Sequence, residues 1–371
     1  MSRELRIFVP RLMDAANTNA QNLNARALLS RFTSPKAWWV TTYYDPPDES
    51  MRGAPRVELQ KLWRTRLWQW HILTKYQQNV DAIFYPGMEW FDAEALTLRR
   101  VSRRKIPVIG TLEGLAGDEE REKELERIVG HRVYCHRVGR DVVERCDRIL
   151  RSCDHIIAIT PMLAKVGAAL YGRKVSVIPL GIDSRIFHAT KPLRGNAFRV
   201  IGVGNLKENK RPGVFLQLAR RFPQAEFAWY GQGVLLERMR REAADSAVKN
   251  VSFPGVLQPE GLAAEYGRSD LFILPSRSEG APKVLQEAAA CCLPRIAFGF
   301  YEPAISDSED GFVVWSDEEL FARVGQMISD RSRARHMGAS AAAKAGQQDW
   351  ELVAPLWESK LLELLETPHS G

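Results

Sequence analysis

Cysteine is scarce in this chain, with Cys135, Cys146, Cys153, Cys291 and Cys292 the five among 371 residues. Their number is odd and none stand in a C-x-x-C spacing, which argues against a disulfide framework or a structural zinc site and for reduced thiols in a cytoplasmic protein. Long apolar runs are missing as well. Nothing approaches the ~20 residues that span a bilayer, and the opening "MSRELRIFVP" enters a strand-length apolar stretch rather than a secretory leader. No Asp-x-Asp pair sits in a loop suited to a divalent cation. His131, His136 and His155 lack metal-ligand spacing and read as structural or surface residues, so no metal is expected. Internal repeats and low-complexity tracts are also lacking.

What remains is a soluble globular composition, 45% hydrophobic and 26% charged, in a chain long enough for two domains. The net charge of +7 suits an anionic partner, whether nucleotide, nucleic acid or an acidic membrane surface. Short runs rich in β-branched and aromatic residues recur in two series. The first is "LRIFVP", "AWWVTTY", "AIFYPG", "IPVIGT", "HIIAITP" and "VSVIPLGID"; the second is "FRVIGVG", "EFAWYGQG", "VSFPGV", "LFILPS", "PRIAF" and "GFVVW". Most are separated by helix-period stretches, the pattern of a mostly parallel sheet covered by helices on both faces. Two series imply two α/β domains. The turn-rich segment "FHATKPLRGN" is the natural linker, giving domains over 1–190 and 191–346. In the last piece, 347–371, apolar residues at 350, 353, 356, 357, 361, 364 and 365 predict helix, with Pro355 kinking or breaking it.

Ligands of open parallel sheets sit beyond the carboxyl ends of the strands. The strand "LFILPS" leads into such a loop, and "PKVLQEAAACC" reads as a helix with Pro282 in its first turn, where free N–H groups and the helix dipole favour an anion. Glu279 lies in the turn and Glu287 eight positions on, inside the helix. A carboxylate accepting two hydrogen bonds suits vicinal hydroxyls, so one could hold a sugar and the other a ribose with a diphosphate between them.

These residues also resemble a known family. "PSRSEGAPKVLQEA" is similar to the paired-glutamate E-x7-E motif of the retaining GT-B glycosyltransferases of family four. "FRVIGVGNLKENKRP" resembles that family's strand and phosphate loop, "EFAWYGQG" its next strand and glycine turn, and "CDHIIAITPMLAKVGAALYGRKVSVIPLGID" the end of its first domain. "QQDWELVAPLWESKL" resembles its terminal helix. The resemblance runs from about residue 140 onward. It implies two Rossmann-like domains facing a cleft, an acceptor-binding first domain, a donor-binding second, and a C-terminal helix crossing back to the first. It implies transfer from a nucleotide sugar, UDP- or GDP-linked, with no cofactor, to a carbohydrate, lipid-linked or other hydroxyl.

By that resemblance Lys210 pairs with the donor diphosphate, the backbone of Gly280, Ala281, Pro282 and Lys283, continuing to Val284, cradles it, and Gly204 and Asn205 belong to the same loop. Glu279 binds the donor sugar, Glu287 the ribose, and Val256 lies near the base. The sequence departs from the family in three places, the first being the usual Gly-Gly loop after the first strand, which is replaced by "RLMDAANTNAQNLN". An arginine usual in the glycine loop is replaced by Asn205, which cannot pair bidentately with phosphate, leaving Arg211 or Arg277 to compensate. The family's histidine after a first-domain strand is replaced within "GTLEGLAG", where Glu113 is the nearest ionisable residue and thus a candidate catalytic group. In the reaction so implied, charge develops on the leaving diphosphate, and Lys210 with the helix start stabilises it without a metal.

Two stretches have bland and sharp readings. Over 58–76, "ELQKLWRTRLWQWHILTKY", Leu59, Leu62, Trp63, Leu67, Trp70 and Leu73 keep helical spacing, predicting a core-facing stripe with Lys61, Arg64 and Arg66 snorkelling. The alternative is a helix seated on the anionic inner face of a membrane. "RRVSRRK", residues 99–105, is a solvated helix end or a contact for lipid or nucleic-acid phosphate. The alternatives to a glycan- or lipid-directed transferase are therefore a transferase acting on modified DNA, a nucleotide-sugar epimerase or phosphorylase, and a nucleotide-sugar-binding protein without catalysis.

Overall fold

A computed structural model describes residues 4–14, 20–43, 45–61, 80–87, 106–189, 195–246 and 248–366. The chain forms two compact units, Met1–Gly117 with Arg137–Gly181 and Trp350–Gly371, and Asp118–His136 with Ile182–Asp349.

The first unit holds seven parallel strands: β1 (Leu5–Leu12), β2 (Ala37–Tyr43), β3 (Val57–Lys61), β4 (Ala82–Tyr85), β5 (Val108–Leu112), β6 (His155–Ala158) and β7 (Lys174–Val177), ordered β3-β2-β1-β4-β5-β6-β7. β4, β5 and β6 are buried at every residue, whereas the edges β3 and β7 are half-exposed. Burial on both faces explains why the inner strands are continuous apolar runs rather than alternating ones. Phe32, Trp39, Phe84 and Trp357 pack in sequence through this core at ring separations of 4.6–6.3 Å.

Three expectations change here. Leu59 and Lys61 belong to β3, in parallel register with Thr41 and Tyr43 of β2, so the helical stripe does not begin at 58. "VELQK" alternates with a period of two, the edge-strand signal that the longer helical spacing masked. The rest of that stripe and the basic run 99–105 lie outside the described residues. The last helix, Trp350–Glu366, runs through Pro355 unbroken, because Pro355 and Glu351, whose carbonyl loses its partner, both face solvent. Leu356 is 57% exposed, so it is not on the core face, whereas Trp350, Val353, Trp357 and Leu361 are buried. Trp357 donates its indole N–H to the Pro179 carbonyl at 2.9 Å, and Glu358 accepts the N–H groups of Thr33 and Ser34.

The second unit holds β8 (Phe198–Val203), β9 (Ala225–Tyr230), β10 (Val251–Gly255), β11 (Leu271–Leu274), β12 (Arg295–Phe298) and β13 (Gly311–Val314), ordered β10-β9-β8-β11-β12-β13, with every pairing parallel. Chain order reverses between the neighbours β8 and β11, and the crevice at their carboxyl ends is where such sheets bind ligands. The loops that open there are 204–211 and 275–282.

Asp118–His136 also belongs to this unit, whereas a boundary near 190 leaves it in the first domain. Its helix, Glu119–Val129, begins where the Asp118 carboxylate accepts the Arg121 N–H at 3.0 Å and carries three glutamates in its first turn, as the dipole favours. Gly130, at φ +93°, ends it in a left-handed cap. The chain then returns through His131–His136, fixed where buried Glu122 accepts the Cys135 N–H at 2.8 Å.

Candidate functional site

The site begins with two backbones pressed together. Gly204 leaves β8 at φ +145°, donates its N–H to the Tyr230 carbonyl at 3.0 Å, and accepts the Trp229 indole N–H at 2.9 Å. A Cβ on Gly231, itself at φ +147°, would stand 2.1 Å from the Gly204 oxygen. One on Gly233 would stand 2.5 Å from the Leu206 oxygen. The glycines of "YGQG" are therefore required by the close approach of the β8 and β9 loops, and they set the path of the chain toward Lys210. A short 3-10 turn, Glu208–Lys210, then passes through Arg211 at φ +55° into the helix Pro212–Arg221.

The loop after β11 clasps that turn. Arg277 donates its backbone N–H to the Asn209 carbonyl at 3.0 Å, and the Asn209 amide reaches the Ser278 carbonyl at 3.5 Å. This clasp brings the Lys210 Nζ onto the Glu279 Oε1 as an ion pair whose side chains are only 18% and 12% exposed. Sequence separation between the partners is 69 residues, so the pair is made by the sheet topology. Beside it, Ser276 Oγ and Tyr301 OH are buried without a hydrogen-bond partner, and the charge of Glu279 reaches Tyr301.

The helix Lys283–Ala290 follows, with Pro282 as its cap rather than inside its first turn, and no side chain caps its N–H groups. Gly280, Ala281, Pro282, Lys283 and Val284 line its half-buried start. Glu287 projects from its second turn. Burial pushes its carboxyl above the ordinary 4.5, and the Lys283 charge opposes that shift. The same buried surroundings, with Glu287 adding its charge, push the Cys291 thiol up to about 12 and the Tyr266 hydroxyl upward too.

The remaining expected residues divide. Arg211 turns away from the loop: its guanidinium bonds the Asp317 carboxylate at 2.7 Å and lies 5.2 Å from the Phe298 ring centre. Asn205 is exposed. Val256 is 58% exposed and follows Gly255, whose carbonyl accepts the Gly231 N–H at 2.8 Å, so it lies at the rim of the β9 turn. Glu113 follows β5, which ends at Leu112, and belongs to the first unit. The ring of His136, a structural or surface residue by its spacing, senses Lys207, Glu279 and Lys210, and its protonation is held down by partial burial and by Lys207. No motif marks it; only the return of 118–136 into this unit places it. Among the described residues no three His, Cys, Asp or Glu side chains gather as a metal site, and no helix is long and apolar enough to cross a membrane.

Two parallel α/β units, one with a compensated lysine–glutamate pair where its strand order reverses, define a GT-B architecture. Comparison with known proteins agrees with it. The family described as Glycosyltransferase Family 4 matches residues 36–185, and Glycosyl transferases group 1 matches residues 183–344. Together the two matches span residues 36–344, and both are to glycosyltransferase domains. It is 30% identical over 159 residues to the alpha-galactosylglucosyldiacylglycerol synthase of Streptococcus pneumoniae, covering 38% of this chain and 42% of that protein. To the D-inositol 3-phosphate glycosyltransferase of Segniliparus rotundus it is 27% identical, covering 56% and 51%. The chain thus spans about half the length of the curated relatives it matches. Among solved structures, sucrose-phosphate synthase from Thermosynechococcus elongatus superposes with a TM-score of 0.76 at 18% identity, covering 97% of this chain and 99% of that one. Anabaena HepE in complex with UDP and glucose gives 0.75 at 14% identity, covering 97% and 100%; both share the fold.

Proposed function

We propose that the chain is a retaining, metal-independent glycosyltransferase that moves a sugar from a UDP- or GDP-linked donor to an acceptor hydroxyl. The observation that carries this reading is the Lys210–Glu279 pair, set between a glycine loop and an uncapped helix start at the point where the second sheet reverses its strand order. The expected absence of a metal and the E-x7-E roles of Glu279 and Glu287 belong to this proposal.

In this scheme the diphosphate lies against Lys210 and the N–H groups from Gly280 to Val284, Pro282 contributing none. Glu279 takes hydroxyls of the transferred sugar, Glu287 the ribose, and Val256 borders the base. The bond from the anomeric carbon to the diphosphate oxygen breaks, and the acceptor oxygen bonds to the same face of that carbon. The acceptor proton passes to the departing phosphate oxygen. Negative charge grows on the diphosphate as the bond opens, and fixed cations and N–H dipoles aimed there lower the barrier. The solved relative named with UDP supports the donor class, and the relative named as a diacylglycerol-glycolipid synthase supports a lipid-linked acceptor.

The test is a binding panel of UDP, GDP and their sugars in EDTA, on the wild type and Glu287→Ala, followed by NMR of the anomeric proton in the product. Binding weakened in the variant, turnover in EDTA and an unchanged anomeric configuration support the reading. An inverted product, or turnover lost on chelation, removes the retaining or the metal-independent part. Binding without turnover points to a nucleotide-sugar-binding protein.

A further inference from the structure

Four arginines of the second unit that are shielded from solvent are spent on carboxylates. Arg199 pairs with Glu265, Arg211 with Asp317, Arg295 with Asp310 and Arg331 with Asp270. Arg277 is different. Its guanidinium lies 5.6 Å from the ring centre of Tyr134, and no carboxylate partners it among the described residues. Arg132 lies over the same ring at 5.0 Å, also without a carboxylate. Both arginines are exposed, and stacking on the ring engages none of their N–H donors, which stay open to an anion. An anion beside them would accept charge-assisted hydrogen bonds from those donors.

The location identifies that anion. Arg277 is tied through its backbone to Asn209, next to Lys210, and stands two residues before Glu279. Tyr134 stands two residues before His136, which senses Lys207, Lys210 and Glu279. The ring is itself anchored: its edge meets Phe300 at 4.9 Å, and Cys135 beside it is pinned by Glu122. The strap 131–136 therefore lies along the diphosphate end of the donor loop, where Asn205 supplies no charge.

We propose that Tyr134 is a positioning residue of the donor site, its ring holding Arg277 and Arg132 as the guanidinium pair that takes the donor's diphosphate. This rests on the nucleotide-sugar reading above. Arg211, locked to Asp317, does not share the role.

Titration calorimetry with UDP, UMP and uridine, or with the guanosine series if the panel selects it, tests the assignment. Arg277→Ala is expected to weaken diphosphate binding about tenfold or more, as the loss of hydrogen bonds to a charged group does. Tyr134→Ala is expected to weaken it about threefold to tenfold, on the scale of a desolvated cation–ring contact. Nucleoside binding stays at the wild-type level in both. Tyr134→Phe keeps the ring and restores diphosphate binding. Adding Tyr134→Ala to an Arg132→Ala/Arg277→Ala variant weakens binding no further, because the ring acts through the two arginines. Additive losses, an unrescued Tyr134→Phe, or equal losses for uridine and UDP overturn the assignment. Lys210→Ala separates the two readings. If it abolishes diphosphate binding while Tyr134→Ala binds like wild type, only this inference fails; if the wild type binds no nucleotide, the donor reading fails first.

Discussion

Replacing Gly231 with alanine probes the geometry that builds the donor loop. The added Cβ would stand 2.1 Å from the Gly204 oxygen and 2.8 Å from its carbonyl carbon, both backbone atoms. That carbonyl cannot swing aside freely, because it accepts the Trp229 indole N–H at 2.9 Å. Gly231 also sits at φ +147°, where an L side chain costs about 1–3 kcal/mol. Overpacking against fixed atoms adds about 1–3 kcal/mol. The expected loss is therefore about 3 kcal/mol or more, roughly a hundredfold in the folded-to-unfolded ratio. Urea denaturation measures it, with a midpoint lowered by about 1 M or more at unchanged slope. Gly213→Ala is the matched control: it lies in the helix Pro212–Arg221 with nothing within 4 Å of its Cβ, and is expected to be neutral or stabilising by up to about 1 kcal/mol. If Gly231→Ala lowers stability by less than about 1 kcal/mol, the close approach of the two loops is not what fixes these glycines.

Further outcomes separate stability from binding. Arg211→Ala breaks a part-buried ion pair and is expected to cost about 2 kcal/mol of stability while leaving nucleotide affinity within about twofold, in a denaturation series paired with calorimetry; a large affinity loss would restore Arg211 to the donor site. Lys210→Ala is expected to lower kcat by about a hundredfold or more in a turnover assay, as loss of a transition-state charge partner does; unchanged kcat would remove it from catalysis. Glu287 has a folded-state pKa above its unfolded one, so the folded protein holds the extra proton and stability falls as pH rises above 4.5 toward that raised value. Glu287→Gln should therefore stabilise the ligand-free protein at neutral pH, with the gain fading as pH falls below 4.5, and a pH-independent gain in thermal melts would contradict this. Glu279→Gln should keep UDP binding while losing discrimination between UDP and its sugars, and weaker UDP binding would refute the exchange argued below.

Most strands of the second unit were legible because they are short, buried apolar runs, and in "FILPS" and "VIGVG" a proline or glycine turn follows as a second signal. Lys210 and Glu279 could each be picked out beside such a turn. Their contact could not, since it depends on β8 and β11 being neighbours across 69 residues of chain. β3 was hidden because "VELQK" is a half-buried edge strand whose leucine also fits the helical spacing of the residues after it. Tyr134 and His136 were invisible for another reason. They lie in a segment flanked on both sides by first-unit sequence, and its membership of the second unit is decided by tertiary contacts such as His131 with Trp315 and Tyr134 with Phe300. Arg211, a candidate beside Arg277 to compensate for Asn205, has a left-handed backbone at φ +55° and a side chain paired with Asp317, a partner no sequence pattern marks.

The Lys210–Glu279 pair has a consequence for how a donor enters. Two charges this sheltered are costly if left alone, and in the free protein each compensates the other. In the proposed scheme a nucleotide sugar brings a substitute for both at once, because its diphosphate carries the charge Lys210 needs and its hydroxyls are the donors Glu279 needs. A nucleoside diphosphate without sugar replaces only the first and leaves Glu279 buried without its cation. The exchange is thus balanced for the intact donor and unbalanced for the spent one, which favours release of the nucleotide after transfer. Neutralising Glu279 removes that imbalance, and for this reason Glu279→Gln should keep the spent nucleotide while no longer telling it from the donor.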